Sequence, residues 1–226
     1  MSSPELDALL LVQSHDTRLD QLRHQLAALP ERAARDAAVA AVAEAERVIV
    51  GTTEIRDDLA RQQKRIDDEV ESLKAKRTGF DQKLYGGTVS NPRELQDLQE
   101  EIDSLGRRIT QLEDEELEVM EQVEPVEADL ESFRATLAER QAALTDAERV
   151  LTEAEADLRA QIAAEEAVRS EAMAPVPDGL LTEYERLRTG RGGIGVARLI
   201  GAQCGGCHLT LSAMEAARMR KLPDGE

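Results

Sequence analysis

Tryptophan is absent from this 226-residue chain, and only two Phe and two Tyr stand in for it, so aromatics make up 2% of the residues. A compact core of this size needs large apolar side chains to offset chain entropy, and the shortage argues for a thin buried seam instead. Long apolar runs are missing too. No stretch of 18 apolar residues exists, which excludes a membrane-spanning helix, and "MSSPELDALLLVQSHD" has no basic lead of the kind that opens a signal peptide. Cysteine is limited to Cys204 and Cys207, too few and too closely spaced for a secreted disulfide framework. These absences make a cytoplasmic protein the expectation. Cations are short as well. The formal net charge is −18, and residues 178–226, with seven basic and six acidic side chains, are the part near neutrality. The rest should repel nucleic acid and anionic lipid, so phosphate binding would have to be local.

What remains is Ala, Leu, Glu, Arg, Asp and Gln, with 33% charged residues, the vocabulary of long helices. Stepping by alternating threes and fours from Leu95 gives Leu98, Ile102, Leu105, Ile109, Leu112, Glu116, Val119 and so on to Leu158. Only Glu116 and Arg140 among the nineteen positions are charged. Such patterning over more than eight heptads keeps one stripe against a partner helix, the mark of a coiled coil. The first half repeats it less cleanly. Val12, Leu19, Leu22, Leu26 and Leu29 form one block. Ile55, Leu59, Gln62, Ile66, Val70, Leu73, Phe80 and Leu84 form another, with Val39, Val42 and Ile49 between.

The turn joining the halves is visible in "LYGGTVSNPRELQDL", where Gly86-Gly87 breaks one helix and Asn91-Pro92-Arg93-Glu94 starts the next. Asn91 suits the cap, Pro92 the first helical position, and Glu94 a capping box. Folding about residues 88–89 predicts an antiparallel coiled-coil hairpin over 1–173, with its turn near 85–92. It sets Gly51-Thr52 opposite Pro125, where a shared kink is expected, and Pro30 predicts another bend. A parallel dimer of extended chains is the competing arrangement, which the Gly-Gly turn disfavours. At the tip, Tyr85, Thr88, Val89, Asn91, Pro92 and Arg93 are candidates for contacting a protein partner, weighed against a purely turn-forming role.

Composition shifts at "MAPVPDGLLTEY", and residues 178–226 read as a separate module: a short helix "LLTEYERLR", a glycine-bearing loop, a short strand from Ile194 to Ile200, the turn "CGGC", and a helix capped by Ser212 with Glu215. The glycines spell no phosphate loop and suit turns and close backbone approach. Cys204-Gly-Gly-Cys207-His208 matches a haem attachment string, but nothing here suggests export or an apolar pocket. A redox dithiol would need a helix N-terminus after a strand, whereas "HLTL" suggests a turn into a strand. The Gly-Gly knuckle, able to aim backbone N–H groups at sulfur, favours half of a zinc site. His208 points away in an extended continuation, and His15 and His24 read as solvated helix residues. Arg186, Arg188, Arg191, Arg198, Arg218, Arg220 and Lys221, set against Glu185 and Glu215, form a candidate phosphate-binding patch.

The sequence "YGGTVSNPRELQDLQEEI", the "YERLR" segment followed by spaced glycines, and "CGGCHLTL" before a short helix, taken in order, resemble the C4-type zinc-ribbon proteins of bacteria and archaea. The resemblance covers nearly the whole chain. It implies a mainly α fold, a long antiparallel hairpin with a small C-terminal zinc ribbon, and zinc held by Cys204 and Cys207 together with a second Cys-x-x-Cys. That second pair is absent from this sequence, and a short continuation of the gene is expected to supply it. The resemblance also implies a non-enzymatic adaptor for protein partners, with nucleic-acid binding through the ribbon as the alternative. No catalytic constellation appears, and no small-molecule substrate is expected.

Overall fold

A computed structural model describes residues 4–219. Five helices and one pair of very short strands follow in order: α1 (Pro4–Ala27), α2 (Pro30–Tyr85), α3 (Pro92–Met173), α4 (Asp178–Gly190), β1 (Leu199–Ile200), β2 (Gln203–Cys204) and α5 (Ala213–Met219). Proline opens α1, α2 and α3, where its missing N–H would have had no helical partner. At Pro30 the structure departs from the expected bend. The helix stops at Ala27, the Ala28 amide closes onto the carbonyls of His24 and Gln25, and α2 begins afresh. Pro125 and Gly51 lie inside helices that continue through them. No described helix is long and apolar enough to cross a membrane.

The described residues divide into two compact units. One is Asp36–Thr145; the other joins the residues up to Arg35 with those from Asp146 onward.

Within Asp36–Thr145, α2 and α3 run antiparallel. Glu69 meets Arg108 at 3.2 Å and Lys76 meets Glu101 at 3.6 Å, pairs centred on 88–89, while Lys74 meets Glu113 at 2.6 Å, a pair centred farther along the turn. Val70 packs with Ile109 and Leu112, and Ile66 and Leu73 close over them. Of the nineteen α3 seam positions, counted through to Leu158, only Arg140 is exposed. The α2 seam corrects the sequence reading. Ile55, Gln62 and Val39 are exposed, while Leu59, Gln63, Ile66, Val70 and Leu73 carry the contact. Stepping back from Val70 by fours and threes lands on Arg56, Thr52, Ile49, Ala45, Val42 and Ala38. The partner helix fixes this register, so neighbouring apolar residues one step off it stay in water.

In the other unit, α1 packs on the last part of α3. Leu9 and Val12 bury against Ala172, Val176 and Tyr184, so α4 is pinned to both. His15, expected as a solvated residue, is half-buried and lies 2.6 Å from Glu165. Arg32, at the start of α2, pairs with Glu155. The apolar run from Ile194 forms a strand only at its end: Leu199 pairs with Cys204 and Ile200 with Gln203, and a single bridge joins Gln203 to Thr210. A zinc ribbon is not evident among the described residues; the strands amount to this one small sheet.

Candidate functional site

Two places attract attention, one in each unit. At the hairpin turn, Gly86 N–H donates to Gln82 O at 2.9 Å, and a Cβ on Gly86 would lie 2.4 Å from that same oxygen. Gly87 follows at φ +71, a conformation other residues resist. Asn91 Oδ1 then accepts the Arg93 N–H at 3.1 Å, and Leu95 N–H donates to Asn91 O. The cap is the one the sequence foretold, without the return bond from Glu94. These bonds hold the turn by its backbone. Thr88 hydroxyl reaches Lys83 O at 3.5 Å, and Val89 is half-buried, while Tyr85, Pro92 and Arg93 stand in solvent, Tyr85 79% exposed. Lys76 and Lys83 flank the Phe80 ring at 5.7 and 5.8 Å.

In the other unit, two polar side chains of α1 hold the C-terminal module. Gln13 is buried; its Oε1 accepts from Gly195 N–H at 2.7 Å and its Nε2 donates to Gly193 O at 2.9 Å. Gly195 must be glycine, because a Cβ would meet the Tyr184 ring at 2.6 Å. Asp16, 2% exposed, takes the Tyr184 hydroxyl at 2.6 Å and Arg169 through Nε at 2.7 Å. Arg169 in turn reaches Glu185. The Asp16 hydrogen bond lifts the Arg169 guanidinium further above its already high value. Sequence reasoning passed over Gln13 and Asp16. The available signal was a carboxylate on the apolar stripe, four residues after Val12 and three before Leu19.

The cysteine turn closes on its own backbone, and it corrects the expectation that His208 continues extended into a strand, since His208 is left-handed and a lone bridge at Thr210 follows. His208 N–H donates to Cys204 O at 3.0 Å and Gly205 N–H to Arg198 O at 2.8 Å, closing the loop, while His208 sits at φ 58. The Cys204 thiol is held below its ordinary range, first by the Cys207 backbone N–H, then by that of Gly206, then by the Cys207 thiol. A tetrahedral zinc site needs four such donors. The described residues bring two sulfurs together, and no group of three or more His, Cys, Asp or Glu gathers anywhere among them. The set present therefore fits half of a site and does not complete one. Downstream, the predicted cap of α5 is formed in full: Ser212 Oγ accepts from Glu215 N–H at 3.2 Å, and Glu215 Oε2 accepts from Ser212 N–H at 3.1 Å and from its hydroxyl at 2.7 Å.

The basic patch is largely spent on neighbours, which corrects its reading as one cationic surface. Arg186 pairs with Glu183 at 2.5 Å, Arg188 with Asp20 at 2.7 Å, and Arg198 with Asp7 at 2.9 Å. Arg191 and Arg218 are exposed, and Arg220 and Lys221 lie outside the described residues.

The family model described as a CT398-like coiled coil hairpin domain matches residues 12–192, a span that stops short of the cysteines. The uncharacterized proteins Rv2229c and MT2288, from two strains of Mycobacterium tuberculosis, are each 32% identical over 222 residues, 97% of this chain and 89% of theirs. A solved structure from Mycobacterium smegmatis superimposes with a TM-score of 0.87 at 24% identity, covering 100% of this chain and 94% of that one. CT398 from Chlamydia trachomatis gives 0.69 at 17% identity, covering 96% and 90%. At these identities the two structures speak for the fold.

Proposed function

The chain belongs to the family of CT398-like coiled coil hairpin domains, and on that premise we propose that it is a non-enzymatic scaffold whose hairpin tip engages a protein partner. The observation that carries this reading is Tyr85, an aromatic side chain 79% exposed in a chain with only four aromatics. In the first turn of α3, Arg93 offers a cation with no ion pair or side-chain hydrogen bond among the described residues. The turn closes through its own backbone bonds, so neither side chain is needed to shape it. Tyr and Arg are the residue types that dominate contact energies at protein interfaces. Rigid helices on both sides of a short loop keep the ordering cost of binding low.

Zinc, if bound, would be held in part by Cys204 and Cys207 and would stabilise the module by its coordination bonds. The scaffold reading does not depend on it. Of the candidate patch, the described part keeps Arg191 and Arg218 as exposed cations without a carboxylate neighbour, and on a chain of net charge −18 this favours the scaffold reading over a phosphate-tracking surface.

The test is affinity capture with the full chain, comparing wild type with a Tyr85→Ser/Arg93→Ser variant and quantifying the captured proteins. One or more specific proteins should be lost from the variant by at least about tenfold, as removal of an interface hot spot requires. The same captured set from both baits would refute a binding role for the tip.

A further inference from the structure

Within the unit Asp36–Thr145 the stretch farthest from the turn buries little. On α2 no residue from Asp36 to Glu69 is fully buried, and on α3 only Leu130 is between Met120 and Thr145. The seam explains this: Ala38, Ala45 and Thr52 contribute little bulk, so Val42, Ile49, Phe133 and Leu137 remain half in water. Beside the seam the helices leave an apolar groove of about 360 Å³, walled by Ala41, Ala45 and Val48 of α2 and by Phe133 and Thr136 of α3. Ile55, 54% exposed, extends the α2 wall at the next heptad after Val48. Two charged residues complete the lining, Glu44 on the α2 wall and Arg140 on the α3 wall. Glu44 contacts Arg47 within its own helix, and Arg140 has no acidic partner among the described residues.

We infer that this groove is the interface of a homodimer, in which two hairpins pack face to face as a four-helix bundle over residues 41–55 and 133–140. The argument is complementarity. The groove's walls are antiparallel helices bearing opposite charges. A two-fold axis along the groove lays α2 of one copy on α3 of the other, at the same level and in the same antiparallel sense as inside each copy. Val48 of each copy then faces Phe133 of the other across the covered groove, and Glu44 of each copy faces Arg140 of the other. An unrelated helix would have to match two unlike walls at once, whereas a second copy does so by symmetry. Covering the groove also removes from water the half-buried residues that a lone pair of helices leaves wet. The net charge of −18 opposes association outside this groove, whose lining carries one charge of each sign, and so favours a discrete dimer over a larger aggregate.

Sedimentation velocity on the full chain, loaded across roughly 1–200 µM, spans the affinities expected of a modest interface. Wild type should reach a dimer within that range, and Val48→Glu should stay monomeric with unchanged helical circular dichroism. Glu44→Arg and Arg140→Glu should each weaken association by about tenfold, and the two together should recover most of the loss, as a contact between their charges requires. A wild-type monomer throughout, a dimer that survives Val48→Glu, or a double variant no better than either single one would overturn the assignment. Should Val48→Glu lose helicity, the charge-exchange variants decide alone. None of these outcomes depends on the tip, so the dimer and the tip-binding reading stand or fall separately.

Discussion

Asp16 spends its two oxygens on a phenol and a guanidinium: Tyr184 hydroxyl donates to one, Arg169 to both. The cost of burying such a carboxylate is met only when its lone pairs are filled. Burial first, and the bond to Asp16 second, hold the Tyr184 phenol well above its ordinary value of 10.0. A group whose folded pKa is raised stabilises the fold in full below its unfolded value. That contribution fades as pH rises further, because the unfolded phenol ionises while the folded one does not. Docking of α4 should therefore weaken above about pH 10. In a Tyr85→Phe variant, phenolate absorbance of the one remaining tyrosine should lag that of the same protein in urea, and then rise together with loss of helical signal. Coincident titration curves in the two states would mean that Tyr184 is not buried against Asp16. At this scale the local signals were legible. Asn91 and Ser212 act on backbone within four residues, so their capping can be read from spacing alone. Gln13 and Asp16 act across 150 residues or more, and a polar residue on an apolar stripe announces a partner without saying where it is.

Helices are the next scale, and α2 shows what periodicity can and cannot give. Its existence and length follow from composition, but its register does not. Ile55 and Arg56 compete for one seam position, and local hydrophobicity favours the wrong one. What decides is the repeat of α3 across the interface, where apolar residues recur from Val119 to Leu137 without a charge and force α2 to follow. The sequence also offered Gly51, opposite Pro125, as a place for a shared kink. In the structure α2 runs through Gly51, Thr52 hydroxyl donates to Val48 O at 2.9 Å and Thr53 to Ile49 O at 2.7 Å, and a Cβ on Gly51 would meet nothing within 4 Å. Glycine at a helical, uncrowded position carries only its entropic penalty. Gly51→Ala should thus raise the unfolding free energy by about 0.5–1 kcal/mol in a denaturant titration. A destabilised variant would show that the residue is kept for a backbone state other than the helix seen here.

Division of the whole molecule into two units follows from where contacts reach along the chain. The unit Asp36–Thr145 closes around one turn, so its pairings become available as soon as that turn forms. The other unit closes only when α1 finds the end of α3 and the module beyond it, through Asp16 to Arg169 and Gln13 to Gly193. Neither unit could be drawn from the sequence, because the composition change near Pro175 marks where the chain changes style and not where contacts cluster. Local opening should follow the units. Asp16→Ala strands Arg169 and the Tyr184 hydroxyl, a loss of about 3 kcal/mol for a broken buried ion pair. Amide hydrogen exchange in α4 and in residues 193–196 should then accelerate by roughly a hundredfold, since each 1.4 kcal/mol is a factor of ten. Amides around Ile109 and Leu112, whose burial depends on Val70 and its neighbours, should exchange as in wild type. Acceleration spread evenly over both regions would mean that the chain opens as one cooperative body, and would remove the basis for treating the two units as separable parts.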